Sequence, residues 1–284
     1  MKILVLSNGW TTRISGGDEH IIQVAKYWSR NHDVTFIFPS LGYYYVKQLL
    51  PKETKVKAYV YNTLLERPLN GFFKILILYL LRILRLLLFS PKHYYDIIVS
   101  SSHYPYDVIP AILLKLILPG SKLVVYFHGL SIPYRDFGFS RLVSIMANYL
   151  GALLIKLFAD LVFVVNKSTA NFLLSLGVGE SRIFKTDNGV PINEITSAIY
   201  GNKVSKKFDG CFIGRLVRYK GIYDLLEVWK AVCKFKPDAK LVICGTGEEA
   251  PKIAELLKKK KMEPNVTLLG FVYGKEKYNV SRSP

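Results

Sequence analysis

The chain has 284 residues, of which half are apolar and 21% are charged, a composition that excludes intrinsic disorder and low complexity as descriptions of the whole chain. The length suggests two domains of ordinary size. Basic residues outnumber acidic ones by 18, with 21 against 12 in residues 1–198 and 18 against 9 in the remainder. This excess favours anionic partners such as phosphates, nucleotides, nucleic acid or anionic lipid. The three cysteines contain no CxxC pair, which argues against a disulfide scaffold and fits a reducing compartment.

Short apolar runs alternate with segments of helical periodicity along the first 176 residues. Residues 2–7 (KILVLS) predict a strand, a loop follows through Gly17, and the apolar spacing from Ile21 to Trp28 predicts a helix. Further strands are predicted at residues 33–38, 96–100, 123–127 and 161–165, and further helices at 107–118, 140–158 and 168–176. Continuous apolar strands joined by helices indicate a parallel sheet that is covered on both faces.

Residues 72–89 (FFKILILYLLRILRLLLF) form the most apolar stretch of the chain. Three charges within it, on Lys74, Arg82 and Arg85, disfavour a membrane-spanning helix. At about 100° per residue these cations fall within about 80° of one another. That pattern is typical of a basic amphipathic helix lying in a membrane surface, so we expect all three cations to contact anionic lipid. The alternative is a helix that packs on the sheet with one hydrated face.

The pattern changes after residue 190. Residues 191–207 have no sustained period and predict a linker. Strands are then predicted at residues 208–213, 240–244 and 266–269, and helices at 221–235 and 249–260. These elements form one βαβαβ unit, half of a doubly wound sheet, with no closing helix predicted. The predicted organisation is therefore a first domain over residues 1–190, a linker over 191–207, and an incomplete second domain over 208–284.

Glycine pairs lie between strand and helix in both predicted domains. Gly16 and Gly17 follow the first strand, and Gly245 and Gly247 follow the strand at residues 240–244. Such turns let backbone N–H groups approach an anion at a helix N-terminus. Neither turn contains the full G-x-G-x-x-G pattern of a dinucleotide site, and each is also typical of a simple turn.

His128 and Gly129 follow the strand at residues 123–127. Open α/β sheets bind ligands at the carboxyl ends of their strands, where a side chain with a near-neutral pKa is useful. A hydrogen-bonded structural histidine is the alternative interpretation. The other four histidines show no metal-ligand spacing, so no metal is predicted.

The segment from Gly214 to Gly221 is the most informative motif. Arg215 and Lys220 lie five residues apart between a predicted strand and a predicted helix. A planar guanidinium and a compact ammonium both suit a diphosphate, although a solvated basic loop is the alternative. The lysine run at residues 258–261 predicts a solvated helix end, because no aromatic residues interleave it as in nucleic-acid sites.

Together these motifs resemble those of the family 4 (group 1) glycosyltransferases. The matching segments include KILVLSNGW at residues 2–10, FHG at 127–129, DNGVPIN at 187–193, FIGRLVRYKG at 212–221 and LVICGTGEE at 241–249. The resemblance implies the α/β fold called GT-B, with two facing Rossmann-like domains of which the second is incomplete here. It also implies transfer of a sugar from a nucleotide-diphosphate sugar to a glycan or lipid-linked acceptor. Retention of anomeric configuration, and no metal or other cofactor, are further implications.

The resemblance implies roles for single residues. Arg215 and Lys220 would hold the donor diphosphate, and the backbone of Gly17 would approach the same phosphates or the acceptor. His128 would lie beside the donor sugar as the catalytic residue. The residues that would shape the cleft or border the nucleotide are Gly16, Gly129, Asn188, Gly189, Gly214, Gly245 and Gly247.

One departure from the family concerns two glutamates, separated by seven residues, that contact the donor sugar and ribose. The chain ends before that segment, so we expect a truncated form with little or no transferase activity. Two alternatives remain open: a non-catalytic nucleotide-binding fragment, and a nucleotide-sugar epimerase of the same fold. A nucleic-acid binder has the charge but no recognition motif. The expected location is cytoplasmic, peripheral on the inner face of the cell membrane.

Overall fold

The structure is a computed structural model that describes residues 1–9, 16–47, 50, 55–67, 69, 71–88, 94–130, 138–187, 189–200, 207–272 and 274–281. Its internal contacts divide the chain into two compact units, Met1–Gly189 and Val190–Pro284. Each unit contains a parallel sheet with helices, as the alternating pattern predicts.

The first unit contains a seven-stranded parallel sheet in the order β3-β2-β1-β4-β5-β6-β7. The strands are β1 Lys2–Leu6, β2 Asp33–Pro39, β3 Lys57–Tyr61, β4 Ile97–Ser100, β5 Lys122–Phe127, β6 Leu161–Val164 and β7 Ile183–Lys185. The helices are α1 Gly16–Trp28, α2 Ser40–Val46, α3 Phe72–Leu87, α4 Pro105–Ile117, α5 Gly138–Phe158 and α6 Lys167–Ser175. The two edge strands and α2 were not predicted, because their sequences lack a buried apolar run.

Helices cover this sheet on both faces. Because side chains alternate along a strand, β1 sends Leu4 and Leu6 to one face and Ile3 and Val5 to the other. The first face packs against buried side chains of α3, α4, α5 and α6. The second packs against α1 and α2. The carboxyl ends of β1, β4 and β5 meet at one edge of the sheet between these two layers.

Arg82 of α3 is completely buried, so its assignment to lipid headgroups is wrong. Its Nε and Nη2 atoms each donate to the Glu66 carboxylate at 2.8 Å, and Nη1 donates to the carbonyl oxygen of Asn8. Lys74 and Arg85 remain exposed. The three cations therefore do not form one hydrated face.

The position of Arg82 follows from the side of α3 that packs inward. Leu78, Arg82 and Leu86 recur every four residues and are all buried. A buried guanidinium requires a carboxylate and further acceptors, which Glu66 and the end of β1 supply. No helix in the part of the chain that the structure describes is long and apolar enough to cross a membrane.

The second unit contains a three-stranded parallel sheet in the order β10-β9-β8. The strands are β8 Gly210–Ile213, β9 Leu241–Cys244 and β10 Val266–Gly270. The helices are α7 Ile192–Tyr200, α8 Ile222–Phe235, α9 Ala250–Lys259 and α10 Gly274–Ser281. Buried residues of α8 and α9, including Leu226, Trp229 and Ile253, pack on the sheet.

Two of these helices correct the sequence-based expectations. Helix α7 lies within residues 191–207, which predicted an irregular linker, and α10 follows the last strand, where no helix was predicted. Pro191 lacks an N–H group and suits a helix start, and its carbonyl oxygen accepts from the N–H of Ile195 at 3.0 Å. The two helices contact each other. This tertiary contact stabilises both helices, whose apolar periodicity is too weak for the sequence to predict them.

Candidate functional site

The loop between β8 and α8 carries three cations within six residues. Arg218–Lys220 form a single 3-10 turn, which ends at Gly221. Gly221 has φ of 71°, in the left-handed region that favours glycine, and α8 begins directly after it. The glycine therefore permits the sharp change of direction that leaves Arg215 and Lys220 on one short loop.

Arg215 and Lys220 both lie near one exposed aromatic ring, that of Tyr219. The guanidinium of Arg215 lies 6.0 Å from the ring centroid of Tyr219, and Lys220 Nζ lies 5.7 Å from the same centroid. Arg215 Nη2 also donates to the Tyr219 hydroxyl at 3.1 Å. The two cationic groups are thus at most about 12 Å apart. Among the described residues neither forms an ion pair with a carboxylate, so both can bind oxyanions.

Gly245 and Gly247 hold this loop through close backbone contact. A Cβ atom at Gly245 would lie 1.8 Å from the carbonyl oxygen of Gly214, and one at Gly247 would lie 2.1 Å from that of Leu216. Gly245 also has φ of 140°. The N–H of Leu216 donates to the carbonyl oxygen of Thr246 at 3.1 Å. Close backbone packing therefore explains both glycines, because only glycine at these positions lets the β9–α9 loop support the cationic loop.

Glu249 completes this support, and the sequence analysis did not single it out. Its carboxylate accepts a hydrogen bond from the Tyr223 hydroxyl, and its N–H donates to the carbonyl oxygen of Leu216 at 3.1 Å. Burial and then this bond raise the pKa of Tyr223 to about 12, and the same bond lowers the pKa of Glu249. The residue joins the start of α9 to α8 and to the loop. Its position two residues after the GTG segment is the sequence signal that could have identified it.

In the first unit, Gly17 and His128 lie together at the carboxyl edge of the sheet. A Cβ atom at Gly17 would lie 3.2 Å from His128 Cδ2, so the first turn of α1 packs on the imidazole. His128 Nε2 lies 2.9 Å from the carbonyl oxygen of Ser101. Because a carbonyl only accepts, Nε2 carries the hydrogen of this bond.

The electrostatic environment keeps His128 neutral at pH 7. Burial is the main cause that lowers the pKa of His128 to about 4; the hydrogen bond to Ser101 opposes this shift, and the charge of neighbouring His20 adds to it. The rings of His20 and Tyr126 lie 5.8 Å and 5.6 Å from that of His128. With its hydrogen on Nε2, the neutral imidazole has Nδ1 as an acceptor for a hydroxyl. His20, three residues after Gly17 on α1, is a further residue that the sequence analysis did not single out.

A buried polar network fixes the loop that follows β1. The N–H of Asn8 donates to Asp107 Oδ1 at 2.6 Å, and Tyr61 donates to Asn8 Oδ1 at 2.8 Å. Ser101 and Ser102 also donate to Asp107. Burial raises the pKa of Asp107 to about 7, although these hydrogen bonds oppose the shift. The ends of β1 and β4 are therefore held by polar groups rather than by apolar packing alone.

The structure thus gathers the predicted site residues into two sets, one in each unit. Gly16 opens α1 beside Gly17, and Gly129 follows His128 with φ of 148°. Gly189 ends the first unit with open space around its Cα, and Asn188 lies outside the described residues. The second set comprises Gly214, Arg215, Lys220, Gly245 and Gly247. Within the described residues, no group of three or more potential ligands converges to hold a metal ion.

Comparison with known protein families gives a clear match. The model of Glycosyltransferase Family 4 matches residues 14–194, and that of Glycosyl transferases group 1 matches residues 199–283. The chain belongs to glycosyltransferase family 4. The two matches cover the two units one after the other, and the resemblance inferred from the motifs is confirmed.

Relatives of this glycosyltransferase family member come from several organisms. An uncharacterized glycosyltransferase of Methanocaldococcus jannaschii is 24% identical over 268 residues, covering 90% of this chain and 66% of the relative. A second one from that organism is 28% identical and covers 76% of this chain and 54% of the relative. The poly(glycerol-phosphate) alpha-glucosyltransferase of Bacillus subtilis is 28% identical over 109 residues, 38% of this chain and 16% of that enzyme. The chain spans between half and two thirds of the length of the first two relatives.

Solved structures confirm the GT-B fold. HepE of Anabaena, solved with UDP and glucose, matches with a TM-score of 0.66 and 19% identity, covering 99% of this chain and 72% of HepE. A UDP-N-acetylglucosamine 2-epimerase matches with a TM-score of 0.60 and 12% identity, covering 98% of this chain and 71% of the epimerase. Both likenesses concern the α/β fold.

Proposed function

We propose that this protein transfers a sugar from a nucleotide-diphosphate sugar to an acceptor, and that Arg215 and Lys220 bind the diphosphate. The observation that carries the proposal is the pair of exposed cations near Tyr219, on a loop held by close backbone contacts. A guanidinium binds a phosphate bidentately, and an ammonium adds a point charge. Both would neutralise the charge that builds on the nucleotide as it leaves, a large electrostatic contribution in such a reaction. HepE, solved with UDP-glucose as well, supports a uridine nucleotide as the first donor to test.

In the same proposal, the first unit contributes neutral groups. His128 accepts a hydrogen bond at Nδ1 from a donor-sugar hydroxyl, while the Gly17 backbone approaches the phosphates or the acceptor. A histidine with a pKa of about 4 is a weak base at pH 7, so we assign it to orienting the sugar. Transfer retains the anomeric configuration and uses no cofactor in this proposal. Gly16, Gly129, Asn188 and Gly189 border the donor.

Binding of UDP to the purified chain, measured by calorimetry, tests this proposal without requiring an acceptor. Arg215→Ala and Lys220→Ala should each weaken UDP binding by about tenfold or more, because a charge-assisted hydrogen bond contributes about 1.5–3 kcal/mol. Lys234→Ala removes an exposed cation of α8 and is the matched control. Equal UDP affinity in all three variants would contradict the assignment.

A nucleotide-sugar epimerase is the second candidate, and the fold likeness to a UDP-N-acetylglucosamine 2-epimerase favours it. An epimerase converts the donor without an acceptor. Proton NMR of a UDP-sugar incubated with the chain alone distinguishes the two, since a new UDP-sugar signal indicates epimerisation. Binding without any conversion, with or without acceptors, indicates a nucleotide-binding fragment without catalysis.

We further propose that the acceptor is lipid-linked and that the protein acts on the cytoplasmic face of the cell membrane. The apolar side chains that α3 exposes support this proposal. Incubation of the chain with labelled UDP-sugars and membranes tests it. Label in the organic extract supports a lipid-linked acceptor, and label confined to water-soluble glycans contradicts it.

A further inference from the structure

A row of large apolar side chains lies exposed along α3. The row follows one helical stripe, each member is between 49% and 68% exposed, and its members are Phe73, Ile77, Leu80, Leu84 and Leu87. At about 100° per residue, these positions lie opposite the buried side of α3 that carries Arg82. The row therefore faces away from the sheet.

A second row lies along α5. Its members are between 51% and 61% exposed and comprise Leu142, Met146, Tyr149, Leu153 and Leu157. Ala152 and Ile155, on the opposite side of α5, are completely buried against the sheet. This row also faces away from the sheet.

The two rows belong to one layer of the first unit. Leu86 of α3 and Ile155 of α5 join the same core beneath the helices, and α4 contacts both α3 and α5. Neighbouring helix axes lie about 8–10 Å apart, so the two rows are separated by about 20 Å. Leu116 and Ile117, at the end of α4, are exposed between them. We call these two rows, with the end of α4, the α3–α5 surface.

The charge of this layer has one sign. Helices α3, α4 and α5 contain a single acidic residue, Asp107, and it is buried. Lys74, Arg85 and Lys156 are exposed on the same helices. Lys74 and Arg85 lie on the flank of the α3 row, where their aliphatic stems can reach a polar boundary. The described residues of this surface therefore combine large apolar side chains with cations and include no exposed carboxylate.

We propose that the α3–α5 surface docks onto an anionic lipid bilayer. The apolar rows enter the boundary between headgroups and acyl chains, and the flanking cations contact lipid phosphates. Apolar rows of this extent are unusual on proteins that do not bind a partner or a membrane. The absence of acidic side chains favours an anionic bilayer over a mixed-charge protein surface.

Docking on this surface would bring the bilayer close to the first set of site residues. On the inner side of α3, Tyr79 donates to the carbonyl oxygen of Gly9 at 3.4 Å, and Arg82 donates to that of Asn8. Leu80 and Leu84, on the outer side of the same turns, belong to the exposed row. A helix is about 10–12 Å across, so the bilayer would lie about one helix diameter from the end of β1. Delivery of a lipid-linked acceptor to that edge rests on the proposed function, whereas docking itself does not.

Cosedimentation of the full chain with vesicles tests the proposal. We expect binding to vesicles of phosphatidylcholine with 30% phosphatidylglycerol. The pairs Ile77→Glu with Leu84→Glu, and Met146→Glu with Leu153→Glu, should each reduce the partition coefficient about tenfold or more. Val228→Glu with Phe235→Glu adds the same charge at the same seven-residue spacing on exposed positions of α8, and should bind as the unchanged chain does. Equal loss in all three pairs would overturn the proposal in favour of charge alone.

A second measurement does not depend on substitutions to charge. Leu80→Trp should show quenching of its fluorescence by brominated acyl chains, and Phe235→Trp on α8 should not. Lys74→Gln with Arg85→Gln should weaken binding to anionic vesicles. The weak binding to vesicles made only of phosphatidylcholine should not change. A dimer in light scattering that the Ile77→Glu and Leu84→Glu pair dissociates, without vesicle binding, would overturn the proposal in favour of a second copy of this chain.

UDP calorimetry on the same proteins separates this proposal from the proposed function. Absence of vesicle binding with intact UDP binding contradicts docking and leaves sugar transfer standing. Vesicle binding without UDP binding supports docking and contradicts the proposed donor site. The glutamate pairs on α3 and α5 should retain UDP affinity, because none of their changed residues belongs to the second unit.

Discussion

The side chains at the carboxyl edges of the two sheets differ in charge, so the two edges offer a bound ligand opposite kinds of chemistry. In the first unit, His128 is partly buried, neutral at pH 7 and hydrogen-bonded to a backbone carbonyl. In the second unit, Arg215 and Lys220 are exposed and charged, on a loop whose position is set by backbone packing. In the proposed function, orienting a sugar hydroxyl needs a neutral hydrogen-bond acceptor, whereas binding a diphosphate needs positive charge. The proposal therefore gives two similar α/β units different tasks, which differ through the burial of their loop residues.

The largest effect is expected from disrupting the close backbone contact between Gly245 and Gly214, which supports the cationic loop of the second unit. Gly245→Ala forces a Cβ atom onto the carbonyl oxygen of Gly214 and strains a φ of 140°. We expect a loss of stability of at least about 3 kcal/mol, with loss of UDP binding, measured by urea unfolding and calorimetry. Gly189→Ala, which meets open space, is the control and should change stability little. Equal stability of the two variants would contradict the packing argument.

A similarly large effect is expected from the buried ion pair of the first unit. Arg82→Met leaves Glu66 buried without its partner and should cost about 3–5 kcal/mol in the free energy of unfolding. Replacing both, as Arg82→Met with Glu66→Leu, removes the isolated charge and should recover part of that loss. Urea unfolding measures both variants. If the double variant is as unstable as the single one, the stranded carboxylate is not the cause.

A smaller effect separates binding from stability in the second unit. Arg215→Lys keeps the charge but removes the bidentate guanidinium, so we expect UDP affinity to fall by up to about tenfold. Because Arg215 is exposed, the free energy of unfolding should change by no more than about 0.5 kcal/mol. Thermal unfolding and calorimetry on the same sample measure both. A change in stability with unaltered affinity would indicate a structural role instead.

The smallest expected effects concern pH. Burial lowers the pKa values of His103 and His128 from 6.5 to about 4, so between these values the folded state binds fewer protons than the unfolded chain. The free energy of unfolding should therefore rise from pH 4 to pH 6.5, by at most about 1.4 kcal/mol per pH unit for each histidine. Burial raises the pKa of Asp107 from 3.8 to about 7, which acts in the opposite direction up to pH 7. The two histidines outweigh the one carboxyl, and the net change is a rise.

Urea unfolding at intervals from pH 4.5 to 7.5 measures this dependence. Asp107→Asn should make the rise with pH steeper, because it removes the opposing group. His103→Asn should make it shallower. A stability that falls between pH 4.5 and 6.5 in the unchanged chain would show that the histidines are not held neutral by burial.

Most strands and long helices were predictable, because buried parallel strands require continuous apolar runs. The predicted strand at residues 2–7 corresponds to β1, and that at 123–127 to β5. Strands β3 and β7 lie at the sheet edges, where most of their side chains are exposed or partly exposed, so no apolar run marks them. Helix α10 is mostly polar, so its contacts with α7 and β8 mark it, and apolar periodicity does not.

The candidate site was predictable where single loops determine it and less so where distant segments meet. Arg215 and Lys220 are five residues apart, and their loop is short enough for sequence to place them together. Arg82 was assigned to the wrong environment because its partners, Glu66 and Asn8, lie 16 and 74 residues away. The contact between Gly17 and His128 likewise joins distant segments, namely the first turn of α1 and the residue that follows β5.

Sequence by itself determined the α/β class, the order of the main elements and the cationic loop after β8, because each depends on residues close together in the chain. The tertiary structure decided which side of α3 is buried, and so turned the expected cationic face into an exposed apolar one. It also decided that His128 is neutral and that Gly245 must be glycine. These properties arise from desolvation and close backbone approach, which only the folding of distant segments against one another creates.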